Sequence, residues 1–176
     1  MLNKTTPEEG EDLEAVMFRK YGSRGVQMVN DPNSHLRTSG KKVGIDFLVK
    51  RNVYPTLKAH SLMEYSKNED NKAANQIMEE LFHRYFENGE NINSIDILLE
   101  IASKAGIDGK AAKDAIKDDE FIYAVNEKDT LHKRQMRISG VPFLVIERKD
   151  GQRPVGFSGA QPIDIIAEQL KDASEA

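Results

Sequence analysis

Apolar residues recur at helical spacing through most of this chain, and the spacing changes twice. Residues 1–10 read as an extended polar lead-in. Asp12 to Lys20 predicts a short helix, with Leu13, Val16 and Met17 on one face. Gly22 and Gly25 punctuate it, Val26 to Asn30 continues as helix, and Asp31-Pro32-Asn33-Ser34 is a turn signal. Between Gly40 and Lys50 the apolar residues Val43, Ile45, Phe47 and Val49 alternate strictly, which predicts a short strand or extended segment. Pro55 then stands where a helix can start, leading into Leu57, His60, Leu62, Met63 and Tyr65.

The middle returns to helical periodicity. Ala73 to Phe86 puts Ile77, Leu81, Phe82 and Tyr85 together, and Asn88-Gly89 ends the run, glycine being free to take positive φ. Ser94 is the expected N-cap of a helix to Ala105 with an Ile97, Leu98, Ile101, Ala102 stripe, stopped by Gly106. Asp108 caps a short helix reaching Ile116. A long charged helix follows from Asp119 to Arg137, with Phe121, Ile122, Val125 and Leu131 inward. The second change of period comes at Val141 to Ile146, a continuous apolar run. Lys149-Asp150-Gly151-Gln152 reads as a hairpin turn and Val155 to Phe157 as the return strand. Pro162 opens a last helix with Ile163, Ile166, Ala167 and Leu170 at i, i+3, i+4 and i+7. Helices, then a hairpin, then a helix make an α-rich α+β arrangement.

Composition narrows the function classes. The chain has 176 residues, 39% apolar and 31% charged, with a net charge of −4. The length holds one ordinary domain, or a small domain with an insertion. No basic stripe with interleaved aromatics favours nucleic acid. No apolar run approaches the roughly 20 residues that span a bilayer, and the first ten residues contain no apolar signal core. A cytoplasmic location is therefore expected. There is no cysteine, which excludes a disulfide framework and thiolate metal ligands. No His, Asp and Glu cluster has metal-ligand spacing, so no metal is expected.

Gly140-Val141-Pro142, running into Phe143-Leu144-Val145-Ile146, is the most informative stretch. Proline donates nothing to a sheet ladder, so it belongs at a strand's first position or edge. Ile138-Ser139-Gly140-Val141-Pro142-Phe143, a hairpin, Phe157-Ser158-Gly159-Ala160-Gln161-Pro162 and a closing helix together resemble the C-terminal half of a DsbA-family thioredoxin-like domain, most closely its FrnE-type branch. Thr56 to Leu62, Glu80 to Phe86 with Gly89, and Leu98 to Asp108 resemble the helices of that family's insertion. More distantly, the chain resembles kappa-class glutathione transferases and 2-hydroxychromene-2-carboxylate isomerases.

The resemblance implies an incomplete thioredoxin-like fold with a helical insertion domain, a C-terminal β-hairpin and a closing helix. Residues 1–50 would be a remnant linker leading into the insertion, 51–137 the insertion and crossover helix, and 138–176 the ββα half. It implies a cis bond before Pro142, and a thiol–disulfide oxidoreductase acting through a Cys-x-x-Cys pair. That pair would lie in a β-α-β unit preceding residue 1, with the strand that neighbours Phe143 to Ile146. A truncated product, a designed fragment and a variant that borrows its missing strand are all open. This cysteine-free chain is expected to be redox-inactive on its own, with no catalytic residue and no bound cofactor.

For the binding site, the resemblance implies that the backbone at Gly140, Val141 and Pro142 holds a peptide or glutathione by strand addition; without the resemblance, these residues are a strand start. Ser158, Gly159 and Ala160, at the approach to the last helix, would receive a γ-glutamyl carboxylate, or form a plain N-cap loop. His60, on the insertion helix, would face a substrate or a thiolate, or pack at a helix interface. Glutathione is the expected co-substrate, if any. A glutathione-dependent transferase or isomerase and a non-catalytic binding module remain the alternatives. The open hairpin edge would dimerise or recruit a strand-pairing partner.

Overall fold

The computed structural model describes residues 6–138, 140–148 and 151–175. By compactness the chain divides into two units, Met1–Asn126 and Glu127–Ala176, and each is described separately.

The first unit is helical. Strand β1 (Glu11–Asp12) pairs antiparallel with β2 (Asn52–Val53), and between them lie α1 (Leu13–Tyr21), α2 (Ser23–Asn30) and α3 (His35–Lys42). Asp12 caps α1 by accepting a hydrogen bond from the Ala15 N–H at 2.9 Å. Gly22 ends α1 at φ 62°, where the left-handed backbone favours glycine. Gly25 is not a break, as its place in the sequence suggests, but a buried residue of α2. Its Cα faces the Met17 carbonyl so closely that any side chain would collide with α1.

The core is built by α4 (Leu57–Glu69), α5 (Asn71–Phe82), α6 (Ile95–Lys104) and α7 (Gly109–Lys117). Leu62, Ile77, Leu98, Ile101 and Ile116 are its largest fully buried apolar side chains. Ile77, Leu98 and Ile101 lie on the stripes that the helical spacing predicts. Asp70 caps α5 and Asp108 caps α7, accepting from Lys72 and Ala111 at 2.8 Å each. Ser94 stands at the N-cap of α6 without a side-chain bond.

Four expectations change in this unit. Residues 7–10 form a turn rather than an extended lead-in, the Gly10 N–H donating to the Pro7 carbonyl at 3.0 Å. Glu8, which beside Glu9 reads from the sequence as a solvated cap, instead accepts from Lys58 Nζ at 2.9 Å and Asn93 Nδ2 at 2.5 Å, clasping the turn to the helical core. Gly40 to Lys50 is not a strand. Its first residues close α3, Gly44 takes φ 83°, and the Val43 and Ile45 N–H groups both return to the Gly40 carbonyl at 2.9 Å. Alternation persists because Phe47 packs edge-on against Phe86 and over Gly40, while Val43 is exposed. Phe82, expected inward, is 52% exposed.

Phe82 is the last residue of α5, one position past Leu81 and so turned off the buried Ile77–Leu81 face. Helix α5 runs into a π-turn, His83–Glu87, and a π-turn's extra residue rotates the side chains after it about the helix axis. Tyr85 and Arg84 are thereby buried. The turn holds the irregular segment before it. The Leu48 N–H donates to the Phe86 carbonyl at 2.8 Å, and the Asp46 N–H to Glu87 at 3.1 Å.

Arg84 gathers three carboxylates. Its Nε donates to Glu80 at 2.9 Å, and its Nη1 to Glu90 at 3.1 Å and Glu100 at 2.9 Å. Burial alone would lower its pKa, but the bonds to Glu80 and Glu100 and the charge of Glu90 reverse that, holding the guanidinium charged. Lys104 donates to Glu80 at 2.6 Å, and this bond first, then Arg84's, lowers the Glu80 pKa.

The division between the units falls within α8 (Asp119–Gln135), none of whose residues is buried. Asp118 caps it, accepting from Glu120 and Phe121 at 2.9 and 3.0 Å. Leu131, expected inward, is exposed. In the second unit β3 (Phe143–Ile146) pairs antiparallel with β4 (Val155–Ser158), Phe143 opposite Ser158 and Ile146 opposite Val155. Lys149 and Asp150 of the expected hairpin turn lie outside the described residues; Gly151 has φ 73°. Helix α9 (Ile163–Glu175) packs on β3. Its expected stripe is mostly outward: Ile163 and Leu170 are exposed, and Ile166, Gln169 and Ala173 are the shielded positions.

A carboxylate whose folded pKa is lowered adds stability above its unfolded value, about 4.3 for Glu. That stability is lost as pH falls through the folded value. We therefore expect the urea midpoint of the chain to fall on acidification below about pH 4.5. Glu80→Gln should flatten that fall, and an identical pH slope in wild type and variant would contradict the role given to Glu80.

Candidate functional site

In the second unit, β3 uses one edge for β4, and its other edge pairs with no described strand. At the head of that edge stands Val141. It makes no backbone hydrogen bond to a described residue, and the residue is 82% exposed. The Val141–Pro142 peptide bond is cis. A buried backbone group left unpaired is costly. Val141's groups are at the surface, so they remain available to a partner strand.

The second expected segment is brought to the same end of the hairpin. The Gly159 N–H donates to the Pro142 carbonyl at 2.8 Å, extending the β3–β4 ladder by one rung. Gly159 takes φ 85°, a left-handed turn that an L side chain resists. Gln161 Nε2 donates to the Ser158 carbonyl at 3.1 Å, bracing that turn before α9. Gly140 adjoins Ser158: a methyl on Gly140 would meet Ser158 Oγ at 3.8 Å, ordinary contact. Thus Gly140, Val141, Pro142, Ser158, Gly159 and Ala160 form one end of the ββα unit. The acid in the first turn of α9 is Asp164.

His60 lies in the first unit, on α4. It is exposed, and its Nδ1 donates to the Thr56 carbonyl at 2.6 Å, which fixes the ring against its own helix. The structure adds one site that sequence reasoning missed. The Arg51 guanidinium lies over two rings, 4.9 Å from the Tyr85 centroid and 5.2 Å from Phe86. Its Nε and Nη1 are buried with no hydrogen-bond partner among the described residues. Burial pushes its pKa below the usual arginine range, with Tyr85 acting the other way. Stacking over aromatic faces compensates part of that cost. No spacing in the sequence announces it, because the rings come from the π-turn. Among the described residues, no group of three or more His, Asp or Glu side chains is placed to hold a metal ion. No described helix is long and apolar enough to cross a membrane.

The chain belongs to the DsbA-like thioredoxin domain family, whose model matches residues 14–171. Two solved structures share its fold. A probable DsbA oxidoreductase from Streptomyces coelicolor superposes with a TM-score of 0.78 at 20% identity, over 96% of this chain and 70% of that one. A putative protein disulfide isomerase from Nitrosomonas europaea superposes with a TM-score of 0.66 at 19% identity, over 78% of this chain and 69% of that one. No curated protein matches the chain. The fold is an α-rich α+β, thioredoxin-like one, as the order of elements implied. These 176 residues contain no cysteine.

The two glycines of the site should separate by substitution. Gly159→Ala forces a side chain into positive φ and should cost about 1–2 kcal/mol in urea unfolding. Gly140→Ala, with room and ordinary contact, should stay within about 0.5 kcal/mol. Equal costs would contradict the turn geometry.

Proposed function

We propose that this chain is the substrate-holding part of a DsbA-type thiol–disulfide oxidoreductase of the FrnE branch. The open edge of β3, led by Val141, receives the backbone of an extended peptide or of glutathione. The observation that carries this reading is the unpaired Val141 backbone at the head of an open strand edge. An extended chain laid there continues the sheet, gaining main-chain hydrogen bonds without demanding one sequence.

Disulfide exchange needs a thiolate to attack a disulfide sulfur and a second thiol to resolve the mixed disulfide. Neither exists within these residues. In this reading the thiols come from polypeptide outside residues 1–176, and the present chain positions the substrate for them. His60 supplies no step. A second reading, a binding module without catalysis, rests on the same edge and the same lack of thiols.

The test pairs an activity with a binding signal. In an insulin-reduction assay with dithiothreitol, the chain should match a protein-free control. In an amide NMR titration with reduced, alkylated insulin B chain, the Gly140, Val141 and Gly159 signals should shift and saturate. Turnover above the control, or no shift at those amides, would overturn the reading.

A further inference from the structure

Asn88 is the one asparagine of this chain that glycine follows. An asparagine in that setting is able to modify itself. The main-chain nitrogen of the next residue attacks the side-chain amide carbon, and glycine puts no side chain in the way. Asn88 is exposed and follows directly on the π-turn His83–Glu87. The Gly89 N–H donates to no described residue, so the nucleophile has no such bond to give up. Local geometry holds it off its target. Asn88 takes ψ −16°, which keeps its Cβ and the Gly89 nitrogen out of the eclipsed arrangement that a five-membered ring requires. Asn88 Nδ2, the group that must leave, donates to Glu90 at 3.1 Å. The Glu90 N–H in turn donates to the Arg84 carbonyl at 2.9 Å, so the Asn88–Gly89 peptide is tied on its far side. Gly89 is also packed: a methyl there would lie 2.7 Å from Leu48 Cδ2 and 3.4 Å from Arg51 Cβ. Turning that peptide therefore requires residues 48–51 to lift from the π-turn.

We propose that Asn88 is a self-modification site gated by residues 48–51, which lie over the π-turn. While they are docked, Asn88 persists. When they lift, solvent base removes the Gly89 amide proton and the nitrogen attacks Asn88 Cγ. The new Cγ–N bond closes a succinimide, the Cγ–Nδ2 bond breaks, and ammonia leaves with a proton. Water then opens the ring at one carbonyl or the other, leaving aspartate or isoaspartate; nothing is oxidised or reduced. The product does not return to asparagine, and it opposes redocking. Either form replaces the Nδ2 donor to Glu90 with a carboxylate between Glu87 and Glu90, adding like-charge repulsion. Glu90 also accepts from Arg84 at 3.1 Å, so its displacement loosens that tie. Isoaspartate adds a main-chain carbon between the Asn88 N–H, held on the His83 carbonyl at 3.3 Å, and the Glu90 N–H, held on Arg84. The turn that anchors Asp46 and Leu48 is weakened from within. This stands apart from the Val141 edge.

The experiment incubates the 176-residue chain in mildly alkaline buffer, folded and in urea. Peptide mapping by mass spectrometry follows the amide-to-acid conversion at Asn88, and isoaspartyl methyltransferase labelling identifies the isoaspartyl product. Conversion at Asn88 should be about tenfold slower in the folded chain than in urea. Leu48→Ala, which removes the side chain over Gly89, should raise the folded rate about threefold and leave the urea rate unchanged. In the wild-type chain, urea below the unfolding transition should raise the Asn88 rate and the Leu48 amide exchange rate in parallel, which tests the gate without any variant. Asn88→Asp should speed exchange of the Asp46 and Leu48 amides while leaving those of Ile77 and Leu98 unchanged. Equal Asn88 rates in the folded and urea-unfolded chain would overturn the gate, as would a folded rate that stays flat while Leu48 exchange quickens. No conversion at Asn88 in urea would overturn the site itself. Unchanged Asp46 and Leu48 exchange in Asn88→Asp would overturn the claim that the product opposes redocking.

Discussion

The apolar seam shared by α4, α5, α6 and α7 carries the first unit, and the order of the other elements there depends on it. Leu62, Ile77, Leu98 and Ile101 are wholly removed from water. Burying a large aliphatic side chain contributes about 1.5–3 kcal/mol. The polar devices of that unit sit at the seam's borders and fix its register. Arg84 joins the π-turn to α6 through Glu100, Glu8 clasps the opening turn to α4 and Asn93, and Arg51 lies over the rings that the π-turn presents. The π-turn joins both tasks: it turns Tyr85 and Arg84 inward, and its Phe86 carbonyl and Glu87 carboxylate anchor the segment around Leu48.

The second unit is organised differently. Its sheet has two strands among the described residues, a size that is marginal in water unless something packs on it, and α9 lies on β3. Rigidity at the site end comes from local geometry: the left-handed turn at Gly159, its bond to the Pro142 carbonyl, and Gln161 bracing the Ser158 carbonyl. Those bonds hold Pro142 and Gly159 together while leaving Val141 unpaired. The consequence is a strand edge held in one geometry, and in the proposed reading such preorganisation lowers the ordering cost of binding.

Much of this was legible in the sequence wherever a single physical signal dominated. Helical stripes located α4 to α6, and aspartates located the starts of α1, α7 and α8. The Pro142 and Ser158 segments marked the end of the hairpin where Pro142 and Gly159 meet. The failures share a cause: tertiary contacts overrode local pattern. Helix α3 has one large aliphatic, Leu36, which is exposed, so periodicity had nothing to register. Alternation from Val43 to Val49 suggested a strand, but Gly44 bends the backbone and Phe86 supplies Phe47's contact. In α9 Ile163 and Leu170 are exposed although they share a helical stripe with Ile166, which is partly shielded, as Ala173 is buried. Arg51 and the π-turn left no trace in spacing, since each depends on residues distant in the chain.

Native-state hydrogen exchange tests the central claim most directly, that an open strand edge led by Val141 is carried by a chain whose stability lies in its helical seam. The amides of Leu62, Ile77, Leu98 and Ile101 should be the slowest to exchange, and the Val141 amide should exchange near the rate of a free peptide until a binding peptide is added. Protection at Val141 and along the outer edge of β3 equal to that of the seam, in the chain alone, would contradict the account.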